Sequence, residues 1–189
     1  MTGGIGAGKS EALAALVRLG AATLSADAVV HELYDDPEVR AAVTRRFGDE
    51  VAPGGRVDRA AVARAAFGDP EQRAWLEGLV WPKVGERIAE WRAAESQREP
   101  PPPALVVEVP LLFEAGMEAA FDATIAVVAD EAVRRQRAEA RGHEAVDERA
   151  GRQLTQDEKA QRADYAVENS GGRDDLEREL SRVLAILKA

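Results

Sequence analysis

No cysteine occurs in the 189 residues, so disulfides and cysteine-ligated metal sites are excluded and a reducing cytosol is the natural compartment. No apolar stretch approaches the roughly 18 to 20 residues of a membrane span, because charges interrupt every run. Positive charge is scarce: 25 Lys and Arg stand against 34 Asp and Glu, a net charge of −9. That balance argues against a broad nucleic-acid or acidic-membrane surface, so an anionic ligand has to be met by a local positive cluster. Aromatic residues make up only 5%, and Lys9, Lys83, Lys159 and Lys188 are the only lysines. In a chain rich in Ala, Arg, Gly and Pro, a retained lysine is a candidate for chemistry. The first residues do not read as a secretory signal, and the expectation is a cytoplasmic protein. What is abundant is apolar surface, 46% of residues, which suits one compact domain with small insertions and lies outside the composition of disordered chains.

The pattern along the chain predicts an α/β protein. Leu13, Leu16 and Val17 recur at helical spacing, predicting a helix from about Lys9 to Leu19 closed by Gly20 in the left-handed conformation. Ala21 to Leu24 reads as a short buried strand. From about 28 to 99 the pattern is helical, punctuated by Pro37 at a helix start, Gly48 at a stop, Asp58 as an N-cap, Gly68-Asp69-Pro70, and Pro82. Pro100 to Pro103 forms a stiff spacer. Ala104 to Val109 and Thr124 to Val128 are runs apolar on both faces, as in parallel strands covered by helices, and Tyr165-Ala166-Val167 is a third candidate. The expected architecture is a doubly wound, three-layer core, residues 1–27 and 104–189, carrying a helical insertion over 28–99.

The chemistry is concentrated at Gly3-Gly4-Ile5-Gly6-Ala7-Gly8-Lys9-Ser10, which satisfies G-x-x-x-x-G-K-[ST]. Glycines let successive backbone N–H groups turn inward around phosphate oxygens at a helix N-terminus. Lys9 reaches the β- and γ-phosphates, the Ser10 hydroxyl is placed for Mg²⁺, and Glu11 follows in the same turn. The motif serves both small-molecule phosphotransferases and nucleotide-hydrolysing switches. An N-K-x-D guanine-reading element is absent from the sequence, which favours a kinase. Asp27, just past the second strand, lies where open α/β sheets place ligands, with an N-cap role as the alternative. Glu108, ending a buried strand, is a candidate Mg²⁺ carboxylate or a cap of the next loop. Arg137 and Arg141, preceded by Arg134 and Arg135, form a basic helix face, which ordinarily is solvated.

These residues together resemble the dephospho-coenzyme A kinase family over nearly the whole length. Thr2 to Ser10 looks like its phosphate loop, and Leu24-Ser25-Ala26-Asp27 is similar to its second-strand element, with Ser25 where the family has a first aspartate. Val57-Asp58-Arg59, Leu76-Glu77 and Pro82 resemble its helical substrate signature, with Trp81 where the family has histidine. Val109-Pro110-Leu111-Leu112-Phe113-Glu114 looks like its loop after the third strand. Arg137, Arg141, Arg149, Gln153, Lys159, Ala163-Asp164 and Asn169 fall at the spacing of its lid and adenine-side segments.

The resemblance implies a kinase that passes the γ-phosphate of ATP to the ribose 3′-hydroxyl of dephospho-coenzyme A with Mg²⁺. The other readings are a different small-molecule or nucleoside monophosphate kinase, and a P-loop protein that no longer turns over. It implies that Asp27 contacts the acceptor hydroxyl, that Trp81 and Pro110-Leu111-Leu112 line the acceptor side, and that Asn169 meets adenine. Arg141 and Arg137 would close as a lid over about 130–160, with Gly142-His143-Glu144 at its tip. The expected partners are these small molecules, without nucleic acid or membrane, in a monomer or weak homo-oligomer. Family members place several apolar residues before the position of Thr2, whereas Met1-Thr2 leaves none for a first strand. The expectation is therefore a first strand missing from this chain, with the natural start upstream of Met1.

Overall fold

The computed structural model describes residues 1–140 and 153–187. Five strands form: β1 Thr2–Gly3, β2 Ala22–Ser25, β3 Leu105–Glu108, β4 Ile125–Val128 and β5 Tyr165–Glu168. The helices are α1 Lys9–Arg18, α2 Ala26–Leu33, α3 Pro37–Phe47, α4 Arg59–Phe67, α5 Pro70–Glu95, α6 Glu131–Glu139, α7 Gln156–Arg162 and α8 Arg173–Leu187. The chain divides into two compact units rather than one: Met1–Leu24 with Glu95–Ala189, and Ser25–Ala94.

In the first unit β1 pairs parallel with β4, and β4 pairs parallel with β5 in the register Ile125 to Tyr165 through Val128 to Glu168. β2 is hydrogen-bonded to β3. The two groups are joined by Met1, whose amine donates to Val107 O at 2.7 Å while its carbonyl accepts from Val109 N at 2.9 Å. That alternation is the ladder of a parallel pair, giving the order β2-β3-β1-β4-β5. The first strand is thus short rather than missing: hydrogen bonds from β3 on one side and β4 on the other satisfy the backbone of even this brief segment.

Ile125, Ala126 and Val127 are consecutive and all buried, so both faces of β4 are covered, as the unbroken apolar run predicted. α8 packs against α1, and Leu176, Leu180, Val183 and Leu184 share a core with Ala12, Ala15 and Leu16. Leu176, Leu180 and Leu184 recur at i, i+4 and form the apolar stripe of this helix.

Asp164, just before β5, closes the lower end of the sheet. Its Oδ2 accepts from Thr124 N at 2.7 Å and Thr124 Oγ1 at 2.8 Å, and Thr124 Oγ1 accepts from Asp164 N at 3.0 Å. These bonds, led by the Thr124 hydroxyl, hold the Asp164 carboxyl below the usual carboxylate range. A depressed folded pKa contributes stability above the unfolded value, near 3.8, that is lost as pH falls through the folded value. We expect Asp164→Ala to lower stability at pH 7 by about 1 to 2 kcal/mol. The gap from wild type should narrow below pH 4, as urea titrations at pH 7 and pH 3 would register; a pH-independent gap would refute the charged interaction.

The second unit carries its own core, including Val39, Val43, Val51, Val62, Leu76 and Val80. Asp36 caps α3 by accepting from Glu38 N and Val39 N at 2.8 and 3.2 Å, directly before Pro37. Asp58 caps α4 by accepting from Ala60 N and Ala61 N at 2.9 and 3.2 Å. Pro82, expected to punctuate, instead lies inside α5. Pro82 and Gly78, whose carbonyl loses its helical donor, are both exposed, so water can satisfy that carbonyl while Leu76, Val80, Val84 and Ile88 continue one buried stripe.

Candidate functional site

The loop between β1 and α1 is shaped as its glycines require. Gly6 and Gly8 have φ of 76° and 90°, where a side chain is strained. A Cβ on Gly6 would also lie 2.5 Å from the carbonyl oxygen of Arg134, and one on Gly8 would collide with the Asn169 amide. Gly8 occupies the N-cap position of α1 with no side chain capping it, so the first amides of the helix point to the loop's ligand side with the positive end of its dipole. Lys9 Nζ lies over the loop and donates to Gly3 O at 3.0 Å and Gly4 O at 3.2 Å. Ser10 is the second residue of α1 and is exposed. The Glu11 carboxylate lies 3.6 Å from Arg18 and 3.3 Å from Arg173, which leaves its backbone amide, in the first turn of α1, as the group on the loop side.

Outside the loop, Asn169 is buried and donates through Nδ2 to Ala7 O at 2.8 Å. Arg137 Nη1 donates to Asn169 O at 3.0 Å, and Arg134 Nε donates to Ile5 O at 3.0 Å. Arg137 and Asn169, expected at the nucleotide, are tied to the loop by these bonds. A cavity of about 380 Å³ opens beside Gly4 and Ile5, lined further by Glu131, Arg134 and Gln153 to Asp157. Arg141, with Arg149 and the tip Gly142-His143-Glu144, lies outside the described residues.

The segment after β3 is fastened by a buried cation. Lys159 has no exposed surface, pairs with Glu114 Oε1 at 3.0 Å and donates to Pro110 O, which also accepts from Thr2 Oγ1 at 3.2 Å. Glu114 Oε1 further accepts from Leu154 N at 2.8 Å. One lysine thereby joins β1, the post-β3 loop and α7, a role that neither the scarcity of lysine nor its place in the family resemblance specifies. Of the expected acceptor-side pair, Leu112 is fully buried and anchors the loop, while Leu111 is exposed. Glu108 is buried at the end of β3, opposite Met1 in the ladder. Burial pushes the Met1 ammonium down to about 6, with the Glu108 carboxylate pulling the other way.

Asp27 and Trp81 belong to the second unit. Asp27 is the second residue of α2, exposed, and Ser25 rather than Asp27 holds the N-cap position. The strand ends two residues earlier than an N-cap at Asp27 would need. One turn on, exposed His31 faces Arg59, whose Nη1 lies 2.8 Å from its Nδ1. Trp81 is 45% exposed on α5.

A folded nucleotide-phosphate loop is common to several classes of P-loop protein, and sequence comparison decides among them. The family model described as dephospho-CoA kinase matches residues 1–175. The chain belongs to this family. Among its relatives, the dephospho-CoA kinase of Symbiobacterium thermophilum is 39% identical, the match covering 92% of this chain and 74% of that one. That of Deinococcus radiodurans is 38% identical, covering 100% and 91%. A crystal structure from Thermus thermophilus superposes with a TM-score of 0.84 at 37% identity, covering 100% of this chain and 96% of that one. The dephospho-CoA kinase family consists of ATP-dependent transferases, so this chain is an ATP-dependent kinase.

Proposed function

We propose that this kinase transfers the γ-phosphoryl group of ATP to the 3′-hydroxyl of the ribose in dephospho-CoA, forming coenzyme A and ADP. The observation that supports the reading is the Gly3 to Ser10 loop, folded and braced at the head of α1 in a dephospho-CoA kinase chain. In the reaction the acceptor oxygen bonds to the γ-phosphorus, the bond from that phosphorus to the β-bridging oxygen breaks, and the hydroxyl proton leaves. The loop amides hold the phosphates, Lys9 balances charge on the β- and γ-oxygens, Asp27 orients the hydroxyl, and Arg141 with Arg137 steadies the transferring group. Trp81, Pro110 and Leu111 belong to the acceptor side.

Mg²⁺ fits the donors present. A hydroxyl at the second residue of α1 and a buried carboxylate at the sheet's C-terminal edge, Ser10 and Glu108, are the one or two hard oxygen ligands that Mg²⁺ takes alongside phosphates. When bound, it neutralises charge developing between the β- and γ-phosphates. We place the enzyme in the cytoplasm, in keeping with its lack of cysteine, as a monomer or weak homo-oligomer.

Release of ADP with dephospho-CoA, with adenosine monophosphate and with no acceptor tests the reading. Fast release with the first alone is expected. Preference for the monophosphate makes it a nucleoside monophosphate kinase, and no release with either makes it a nucleotide-binding protein without transfer. Asp27→Asn should lower kcat about a hundredfold while the KM for ATP stays within about threefold. Lost ATP affinity with turnover retained would put Asp27 on the nucleotide instead.

A further inference from the structure

The amides of a phosphate loop face its ligand only while the carbonyls between them face away. In this chain four loop carbonyls have side-chain partners: Gly3 and Gly4 from Lys9, Ala7 from Asn169, and Ile5 from Arg134. By sequence, Arg134 is one of four arginines on a basic helix face. The geometry separates Arg134 from its neighbour. Arg135 is 73% exposed, whereas Arg134 is 22% exposed and lies against the loop, with Nη2 3.2 Å from where a Cβ on Gly4 would sit. Glu131 Oε2 accepts from its Nη1 at 2.9 Å, so the guanidinium is gripped at both ends. Its backbone is fixed as well, with Arg134 N bonded to Asp130 O at 2.9 Å in the first turn of α6.

We infer that Arg134 is a positioning residue for the nucleotide, acting through the Ile5 carbonyl to keep the loop in its phosphate-receiving shape. The inference rests on the loop being a nucleotide site. It predicts an effect on nucleotide affinity that is insensitive to the acceptor and that depends on the donor at Nε rather than on the positive charge.

The test is calorimetric titration with ADP and with Mg·ATP, alongside kinetics with both substrates, on the full chain. Arg134→Ala should weaken ADP binding and raise the KM for ATP about tenfold, with the KM for dephospho-CoA and the melting temperature essentially unchanged. Arg134→Gln places an amide nitrogen at the same depth along the side chain as Nε, without charge, and should recover affinity to within about threefold of wild type. Arg134→Lys carries its charge beyond that depth and should not. Arg135→Ala should bind ADP as wild type does. Unaltered ADP affinity in Arg134→Ala would overturn the inference. So would a Gln variant as weak as Ala beside a normal Lys variant, which would make charge the operative feature. Loss of affinity for both substrates together with a lowered melting temperature would make Arg134 a fold residue only. Because ADP titration needs no acceptor, a wrong acceptor assignment would show as missing ADP release and leave this result readable.

Discussion

Lys9→Ala is expected to reduce turnover a hundredfold or more while the protein remains folded. The ammonium lies over the loop on the Gly3 and Gly4 carbonyls at 3.0 and 3.2 Å, in the position from which a P-loop lysine reaches the β- and γ-phosphates. No fully buried side chain is lost, since Lys9 is half-buried at the loop surface. Its contribution is charge stabilisation that grows as the γ-phosphoryl group separates, and groups of this kind contribute roughly 3 to 4 kcal/mol to a transition state. The KM for dephospho-CoA should move little, because the loss concerns the phosphates. Steady-state kinetics combined with a thermal melt would check both halves. Turnover at the wild-type level would remove Lys9 from the chemistry, and a collapsed melt would turn it into a fold residue.

Lys159→Met should produce a large loss of stability. A fully buried ammonium is tolerated because Glu114 Oε1 stands 3.0 Å away and the Pro110 carbonyl accepts a second bond. Removing it leaves the Glu114 carboxylate with Leu154 N as its hydrogen-bond donor among the described residues, and an uncompensated buried charge costs about 3 to 5 kcal/mol. At roughly 2 to 4 °C per kcal/mol for a chain of this size, the melting temperature should fall by about 6 to 20 °C. Adding Glu114→Gln to Lys159→Met should restore part of the loss, since the stranded charge is then gone. A single variant melting with wild type would show that the pair contributes nothing. A double variant less stable than the single would show that the two groups do not act as a pair.

The same two lysines show how unevenly function was written in the sequence. Lys9 was legible because its chemistry is local: four glycines and one helix start, all within eight residues, admit few arrangements. Asp36 before Pro37 and Asp58 before α4 were legible for the same reason, since a cap satisfies amides two and three residues away. Lys159 offered its rarity and a place in the family resemblance but no sign of its partners, because these are 45 and 49 residues distant. Arg134 and Arg135 are adjacent and chemically identical, and only the way α6 lies against the loop directs one to Ile5 and the other to solvent. Pro82 misled because proline's cost in a helix depends on whether the orphaned carbonyl meets water, a matter of burial rather than of residue type.

Sequence alone determined the phosphate loop, the α/β alternation, the helix caps and the family resemblance, each resting on spacings within a turn or a strand or on motifs strung in order. Tertiary structure decided what those residues touch. It closed a first strand from residues too few to announce one, by supplying hydrogen bonds from β3 and β4 on its two sides. It tied Asn169 to the Ala7 carbonyl and Arg137 to Asn169, paired the Glu11 carboxylate with two arginines, and buried Leu112 while leaving Leu111 at the surface. The physical reason is range: backbone conformation answers to neighbours a few residues away, whereas the partner of a long side chain is whatever packing brings within about 3 Å.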